Sequence, residues 1–227
     1  MPAPTLRVER RILRSGCAAL AASDEVGRGA LSGPATVGMV LVTAKTRTAP
    51  VGVRDSKLLT AQAREALVPR IQRWAAGYSV GHASAAEIDD LGIIAALRLA
   101  GHRAIAALPL RPEAVLLDGS HDYLTPPGQA SLFDAAAMLE HMPPVITMVK
   151  ADLQCAAVAA ASVLAKTARD AIMIQFAQRH PQYGWQENKG YASPEHIEAL
   201  QQYGPTPLHR VSWRLPGLQP DLAAAGP

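Results

Sequence analysis

Cys17-Ala18-Ala19-Leu20-Ala21-Ala22-Ser23-Asp24-Glu25-Val26-Gly27-Arg28-Gly29 is the stretch on which the reading of the fold turns. Its opening residues are small and apolar, as in a buried strand, and the run stops at two adjacent carboxylates, Asp24 and Glu25. Gly27 and Gly29 then break regular structure, and Ala35 to Thr43, rich in Val and Leu, reads as a second strand. Two strands joined by a short glycine-containing turn imply an antiparallel pair. Adjacent side chains on a regular strand point to opposite faces. Either the strand breaks at Glu25, therefore, or Asp24 and Glu25 serve different positions. The two glycines favour the break, because glycine tolerates the dihedrals it requires.

Outward from this stretch, Asp55-Ser56-Lys57 precedes a helical segment from Thr60 to Ala75, with Thr60 as N-cap and Leu67, Ile71 and Trp74 at helical spacing. Tyr78 to His82 reads as a third strand, and Ser84 to Leu108 as helix interrupted near Gly92. Two short apolar strands follow, Ala114 to Leu117, ending at Asp118-Gly119, and Val145 to Val149, ending near Asp152. Cys155 to His180 is a long alanine-rich helix, and a last helix starts near Ser193-Pro194-Glu195. Residues 1–16, with Arg7, Arg10, Arg11 and Arg14, read as a basic, irregular arm, and 216–227 as a flexible tail. Between them, residues 17–215 form one α/β domain, a mixed sheet flanked by helices.

The 227 residues are 49% hydrophobic, enough for a real core and against a disordered chain. With aromatics at 4%, that core is built from Ala, Val, Leu and Ile. A net charge of +3 permits a polyanionic partner without identifying one. Cys17 and Cys155 lie far apart in apolar surroundings, as buried, reduced thiols do. No secretory signal and no membrane-length apolar run is visible, so a cytoplasmic protein without a membrane partner is expected.

Three apolar strands finish on carboxylates: Asp24-Glu25, Asp118 and Asp152. Any one alone is an ordinary strand-ending turn residue. Three in one sheet can converge, and clustered carboxylates need positive charge between them. Hard oxygen ligands suit Mg2+ or Mn2+, the donor set of two-metal phosphodiester cleavage.

The residues from Asp24 to Pro34, with Gly27-Arg28-Gly29 and Gly33-Pro34, resemble the opening signature of the ribonuclease HII family. Further similarities follow in family order: Asp55-Ser56-Lys57, Leu117-Asp118-Gly119, Lys150-Ala151-Asp152, Ala159 to Lys166 with Arg169-Asp170, Lys189-Gly190-Tyr191, and Gly204 to Arg210. The resemblance implies a ribonuclease H-like fold and a metal-dependent endoribonuclease acting on RNA–DNA hybrids and on ribonucleotide-containing duplex DNA, as a monomer. It implies Asp24, Glu25, Asp118 and Asp152 as the metal-holding, catalytic set. Gly27-Arg28-Gly29 would present main chain to a ribose 2′-hydroxyl, and Tyr191 would stack on the next sugar. Lys57 and Lys166 would serve as phosphate contacts or as structural cations.

Asn188 replaces the family's usual His before Lys-Gly-Tyr, and Leu58 its second Lys after Asp-Ser-Lys, so phosphate affinity is expected to be lower. The 34 positions between Asp118 and Asp152 exceed the family spacing. The added segment, with His121, Asp122 and Tyr123, either shapes substrate access or bulges away. Ribonuclease HIII is the nearest alternative, disfavoured by Arg28 and the short N-terminal part. A catalytically silent hybrid-binding protein is the other, disfavoured by four intact carboxylates.

Overall fold

The computed structural model describes residues 2–127, 139 and 141–218. Five strands form one mixed sheet in the order β3-β2-β1-β4-β5. These are β1 (Ala19–Val26), β2 (Ala35–Thr43), β3 (Gly77–Ala83), β4 (Ala114–Asp118) and β5 (Val145–Met148). β1 pairs antiparallel with β2 and parallel with β4, so the central strand joins a meander to a crossover half. Among the described residues seven α-helices accompany the sheet: α1 (Arg7–Arg14), α2 (Ala61–Trp74), α3 (Ala85–Leu91), α4 (Ile93–Ala106), α5 (Ala156–Arg179), α6 (Trp185–Asn188) and α7 (Pro194–Tyr203). None among the described residues is long and apolar enough to cross a membrane.

The alternation of β1 separates two cores. Leu20 and Ala22 pack with Val40, Val42 and the alanines of α5, whereas Ala21 packs with Val37, Met39, Leu97 and Ala100 toward α4. Small residues let the helices sit close. A Cβ at Gly38 would strike the Ala161 carbonyl of α5, and one at Gly81 the Ala100 carbonyl of α4.

Local chemistry explains most boundaries. Thr60 caps α2 through the Ala63 N–H, and Ser84 with Glu87 forms a reciprocal capping box on α3. Gly92, at φ 77°, separates α3 from α4, as its sequence position predicts. Ser193 caps α7.

Three expectations are corrected. Residues 7–14 are not an irregular arm but a helix, α1. Its Glu9 is fully buried and accepts the Ala157 N–H at 2.8 Å, serving as the cap that Cys155 does not provide for α5. Next, β1 does not stop at Asp24-Glu25 but runs to Val26, because Glu25 and Val26 remain paired with Val37 and Thr36 of β2. Lastly, Cys17 is only half-buried, although both cysteines are free thiols. The tail expected from residue 216 falls, from 219 onward, outside the described residues.

The added segment begins by entering the core. Tyr123 and Leu124 are buried beside α4. Leu139 donates its N–H to Nδ1 of His102 on α4, which leaves Nε2 to donate to the Leu124 carbonyl. One neutral imidazole thus holds both sides of the segment.

Gly38→Ala is expected to destabilise the protein by about 1–3 kcal/mol, since β2 must move away from the α5 backbone. Chemical denaturation checks this; an unchanged midpoint would show that the helix does not rest on that glycine.

Candidate active site

Asp24 and Glu25 leave β1 on opposite faces. Asp24 points toward α5, where Ser162 favours its ionised form, and Glu25 toward the α4 side, with its Oε2 3.5 Å from the Tyr123 hydroxyl. The two carboxylates straddle the strand rather than follow a break in it. Asp118, at the end of neighbouring β4, acts electrostatically on both. Its Oδ1 accepts the Ala151 N–H at 2.6 Å and the Asp152 N–H at 3.4 Å. Asp118 therefore holds the short helical turn Ala151–Leu153 that carries Asp152, while Lys150 turns the chain in the left-handed region at φ 57°.

Burial and crowding act in one direction on this cluster. Burial, then the charges of Glu25 and Asp118, pushes the Asp24 carboxyl up to about 8, against the help of Ser162 and Lys57. Burial likewise raises Glu25 and Asp152, with Asp118 adding to each. Burial opposes the Lys57 ammonium, but Asp55, Asp24, Asp152 and Asp118 outweigh it and hold its pKa above the ordinary lysine value. Lys57 is therefore the cation the carboxylates share. Among the described residues, no three His, Cys, Asp or Glu side chains stand close enough to hold one ion. The donor chemistry still fits a divalent cation, since these are hard oxygens whose negative charge exceeds what one lysine offsets.

Lys166 lies elsewhere. It pairs with Asp170 at 2.5 Å, and Asp170 also pairs with Arg64 at 3.2 Å. Leu58 is exposed.

Gly27-Arg28-Gly29 follows β1 directly. Gly27 has φ 82°, and a Cβ there would collide with the Arg169 side chain and the Pro34 carbonyl, so glycine is required from within. Gly29 faces open space, where a ligand's backbone can approach. Arg28 is exposed, 3.9 Å from Glu25. The Gly27 N–H donates to the Tyr191 hydroxyl at 3.2 Å, which joins the glycine loop to the Lys189-Gly190-Tyr191 turn. Tyr191 is 37% exposed.

Two buried arginines brace this junction, and sequence reasoning missed both. Arg169 donates to the carbonyls of Pro34, Lys189 and Ser32 at 2.8–3.0 Å and lies 5.4 Å from the Tyr191 ring centre. Arg210 donates to the carbonyls of Gly27, Arg28 and Gly33. Both stand in quoted motifs, but charge alone signals a surface; only a partner list of carbonyls distinguishes them. Asn188 also has an internal role: its Oδ1 accepts the Gly190 N–H and its Nδ2 donates to the Tyr183 carbonyl. Behind Tyr191, His196 donates to its carbonyl and accepts from Trp185, in contact with His209. Tyr123 was visible in the sequence only as part of the added segment; at 2% exposure it forms a wall against Glu25.

A profile of the family described as Ribonuclease HII matches residues 21–215. The chain belongs to the ribonuclease HII family. It is 46% identical over 211 residues to the ribonuclease HII of Streptomyces avermitilis, covering 92% of this chain and 83% of that one. It is similar in structure to ribonuclease H2 from Pyrococcus horikoshii OT3, with TM-score 0.66 and 27% identity over 87% of this chain and 94% of that one. Ribonuclease HII from Archaeoglobus fulgidus, solved in a PCNA complex, gives TM-score 0.66 and 27% identity over 89% and 98%. The ribonuclease HII family makes this chain an endoribonuclease with the ribonuclease H-like fold expected from its motifs. The HIII and silent-binder alternatives fall away.

Asp24's folded value of about 8 lies above its ordinary 3.8. The stability linked to it is fully present below the unfolded value and is lost as pH rises toward 8. In chelator, the protein is expected to be less stable at pH 8 than at pH 5, by on the order of a few kcal/mol. Asp24→Asn should flatten that dependence. Thermal melts across this range decide it; parallel curves for both proteins would contradict the assignment.

Proposed function

We propose that this ribonuclease HII cuts on the 5′ side of a ribonucleotide followed by a deoxynucleotide, in RNA–DNA hybrids and at single ribonucleotides within duplex DNA. The observation that carries the reading is the hydrogen bond from the Gly27 N–H to the Tyr191 hydroxyl. It makes the glycine loop and the aromatic platform one unit beside the carboxylates. Main chain at Gly27-Arg28-Gly29 distinguishes the ribose 2′-hydroxyl, which DNA lacks. Tyr191 packs on the following deoxyribose, where a 2′-hydroxyl would be in the way.

Asp24, Glu25, Asp118 and Asp152 would hold the divalent cations, Mg2+ or Mn2+. When bound, such cations neutralise the phosphate's developing charge and make water more acidic. Lys57 offsets carboxylate charge and lies within the cluster to meet a substrate phosphate. Lys166, paired with Asp170, has a structural role. Tyr123 supports Glu25 from beneath. Water attack at phosphorus with loss of the 3′ oxygen leaves 5′-phosphate and 3′-hydroxyl ends. The same reading has the protein acting as a monomer in the cytoplasm, consistent with two free thiols.

A labelled DNA duplex with one embedded ribonucleotide tests the proposal with each metal in turn. The expected products carry 5′-phosphate, and chelator abolishes cutting. Asp118→Asn should lower turnover at least about a hundredfold. A cyclic phosphate product, or activity in chelator, would reject the route.

Tyr191→Phe keeps the ring but strands the Gly27 N–H, so junction cleavage should slow about tenfold. Tyr191→Ala loses stacking as well, worth about a further 1–3 kcal/mol. Both variants should slow the single-ribonucleotide substrate more than a long hybrid. Equal slowing on both, tracking a lower melting temperature, would assign Tyr191 to the fold alone.

A further inference from the structure

The first sixteen residues carry Arg7, Arg10, Arg11 and Arg14 against a single glutamate, so their formal charge equals the +3 of the whole chain. On α1 these arginines stand at i, i+3, i+4 and i+7, which places all four on one face. All four are exposed. The opposite face is committed: Leu6 and Glu9 are buried, and Val8, Ile12 and Leu13 pack on the α5-side core. The bond from Ala157 to Glu9 fixes the rotation of the helix about its axis, so the stripe cannot turn inward. Among the described residues no carboxylate lies within 4.0 Å of any of the four. Arg7 with Arg10 and Arg11, and Arg14 with Arg10 and Arg11, are like-charge neighbours that weaken the helix on its own.

The residues that lead into α1 pair with the chain that follows Asp152. Thr5 donates to the carbonyl of Gln154, two residues beyond Asp152, at 3.0 Å and accepts from the N–H of Ala156, four beyond it, at 3.1 Å. We propose that α1 is a second nucleic-acid contact, its arginines lying along the phosphate backbone of duplex that flanks the cleavage step. This rests on the reading that the enzyme acts on duplex substrates. Seven residues of helix rise about 10 Å, a span in which a duplex presents about six phosphate charges. Guanidinium forks match phosphate oxygens and carry no base preference. The surface therefore adds affinity and reach along the duplex without altering where the cut falls.

The test uses the full chain in chelator, with fluorescence anisotropy on two duplexes that each carry one ribonucleotide, about ten and about thirty base pairs long. For R7Q/R10Q/R11Q/R14Q, affinity for the long duplex should fall at least about tenfold at physiological salt. The slope of log K against log salt should shrink by about two to four, at about 0.9 per lost phosphate contact. Binding of the short duplex, and its single-turnover cleavage with metal restored, should match the wild type. The corresponding four-lysine variant should keep the slope. R179Q, an exposed arginine in the last turn of α5 and so at the opposite end of that helix from the Ala157 that Glu9 holds, should leave it unchanged. An unaltered slope in the glutamine variant, a loss in the lysine variant, or an equal loss in the R179Q control would overturn the proposal. Failure of the wild type to cut either duplex would overturn the underlying activity, and the proposal with it.

Discussion

Arg169 is the interaction on which the candidate site depends. Its guanidinium is fully buried at the C-terminal half of α5 and has no carboxylate partner in hydrogen-bonding contact; its donors go to the main-chain carbonyls of Ser32, Pro34 and Lys189. A buried cation of this kind is tolerable only when its donors are all engaged, and that requirement ties three distant segments to one point. Burial accordingly pulls its pKa below the usual arginine value, without approaching deprotonation at neutral pH. Gly27 and Gly33, both at positive φ, also have no room for a Cβ, which would meet Arg169 and Met173 respectively. The loop's shape is thus dictated by what lies beneath it, and Arg210 repeats the arrangement from the other side.

The carboxylates follow the opposite logic. They are few, partly buried and mutually repelling, and the scaffold resists their separation through main-chain donors rather than counter-charges: Asp118 is bound by Ala151 and Asp152, and Asp24 by the N–H of Glu25. Lys57, carried on the turn capped by Asp55, contributes one positive charge. The cluster is therefore poised to gain affinity for a cation as charge accumulates, while the fold tolerates its absence.

Much of this was legible in the chain. Strand and helix positions follow from runs of Val and Leu, from Thr60, Ser84 and Ser193 as caps, and from Gly92 as a break. Of the four carboxylates read as strand endings, Asp118 does close β4, whereas Asp24 and Glu25 lie within β1 and Asp152 stands on the turn after β5. What escaped was tertiary in origin. Whether β1 stopped at Asp24 depended on whether Glu25 found a partner in β2, which no local pattern reveals. The basic segment before residue 16 concealed a helix because four arginines mask its apolar side, and Glu9 looked like surface although it caps a helix far along the chain. Arg169 and Arg210 could be quoted as motif residues, but burial of a charge is decided by acceptors contributed from elsewhere. Lys166, open in the sequence between a phosphate contact and a structural cation, pairs with Asp170, and Asn188, standing where the family usually has His, is engaged by Tyr183 and Gly190.

The imidazole of His102 has a consequence for engineering. Because it binds Leu124 on one side and Leu139 on the other, the chain leaves and rejoins the scaffold at two points spanned by a single ring. The entropy of closing a loop between such neighbouring points rises only logarithmically with length. Lengthening or shortening the chain between them therefore changes the closure cost only slightly. The condition is that His102 remains and that Tyr123, on the near side of the clip, keeps its place under Glu25.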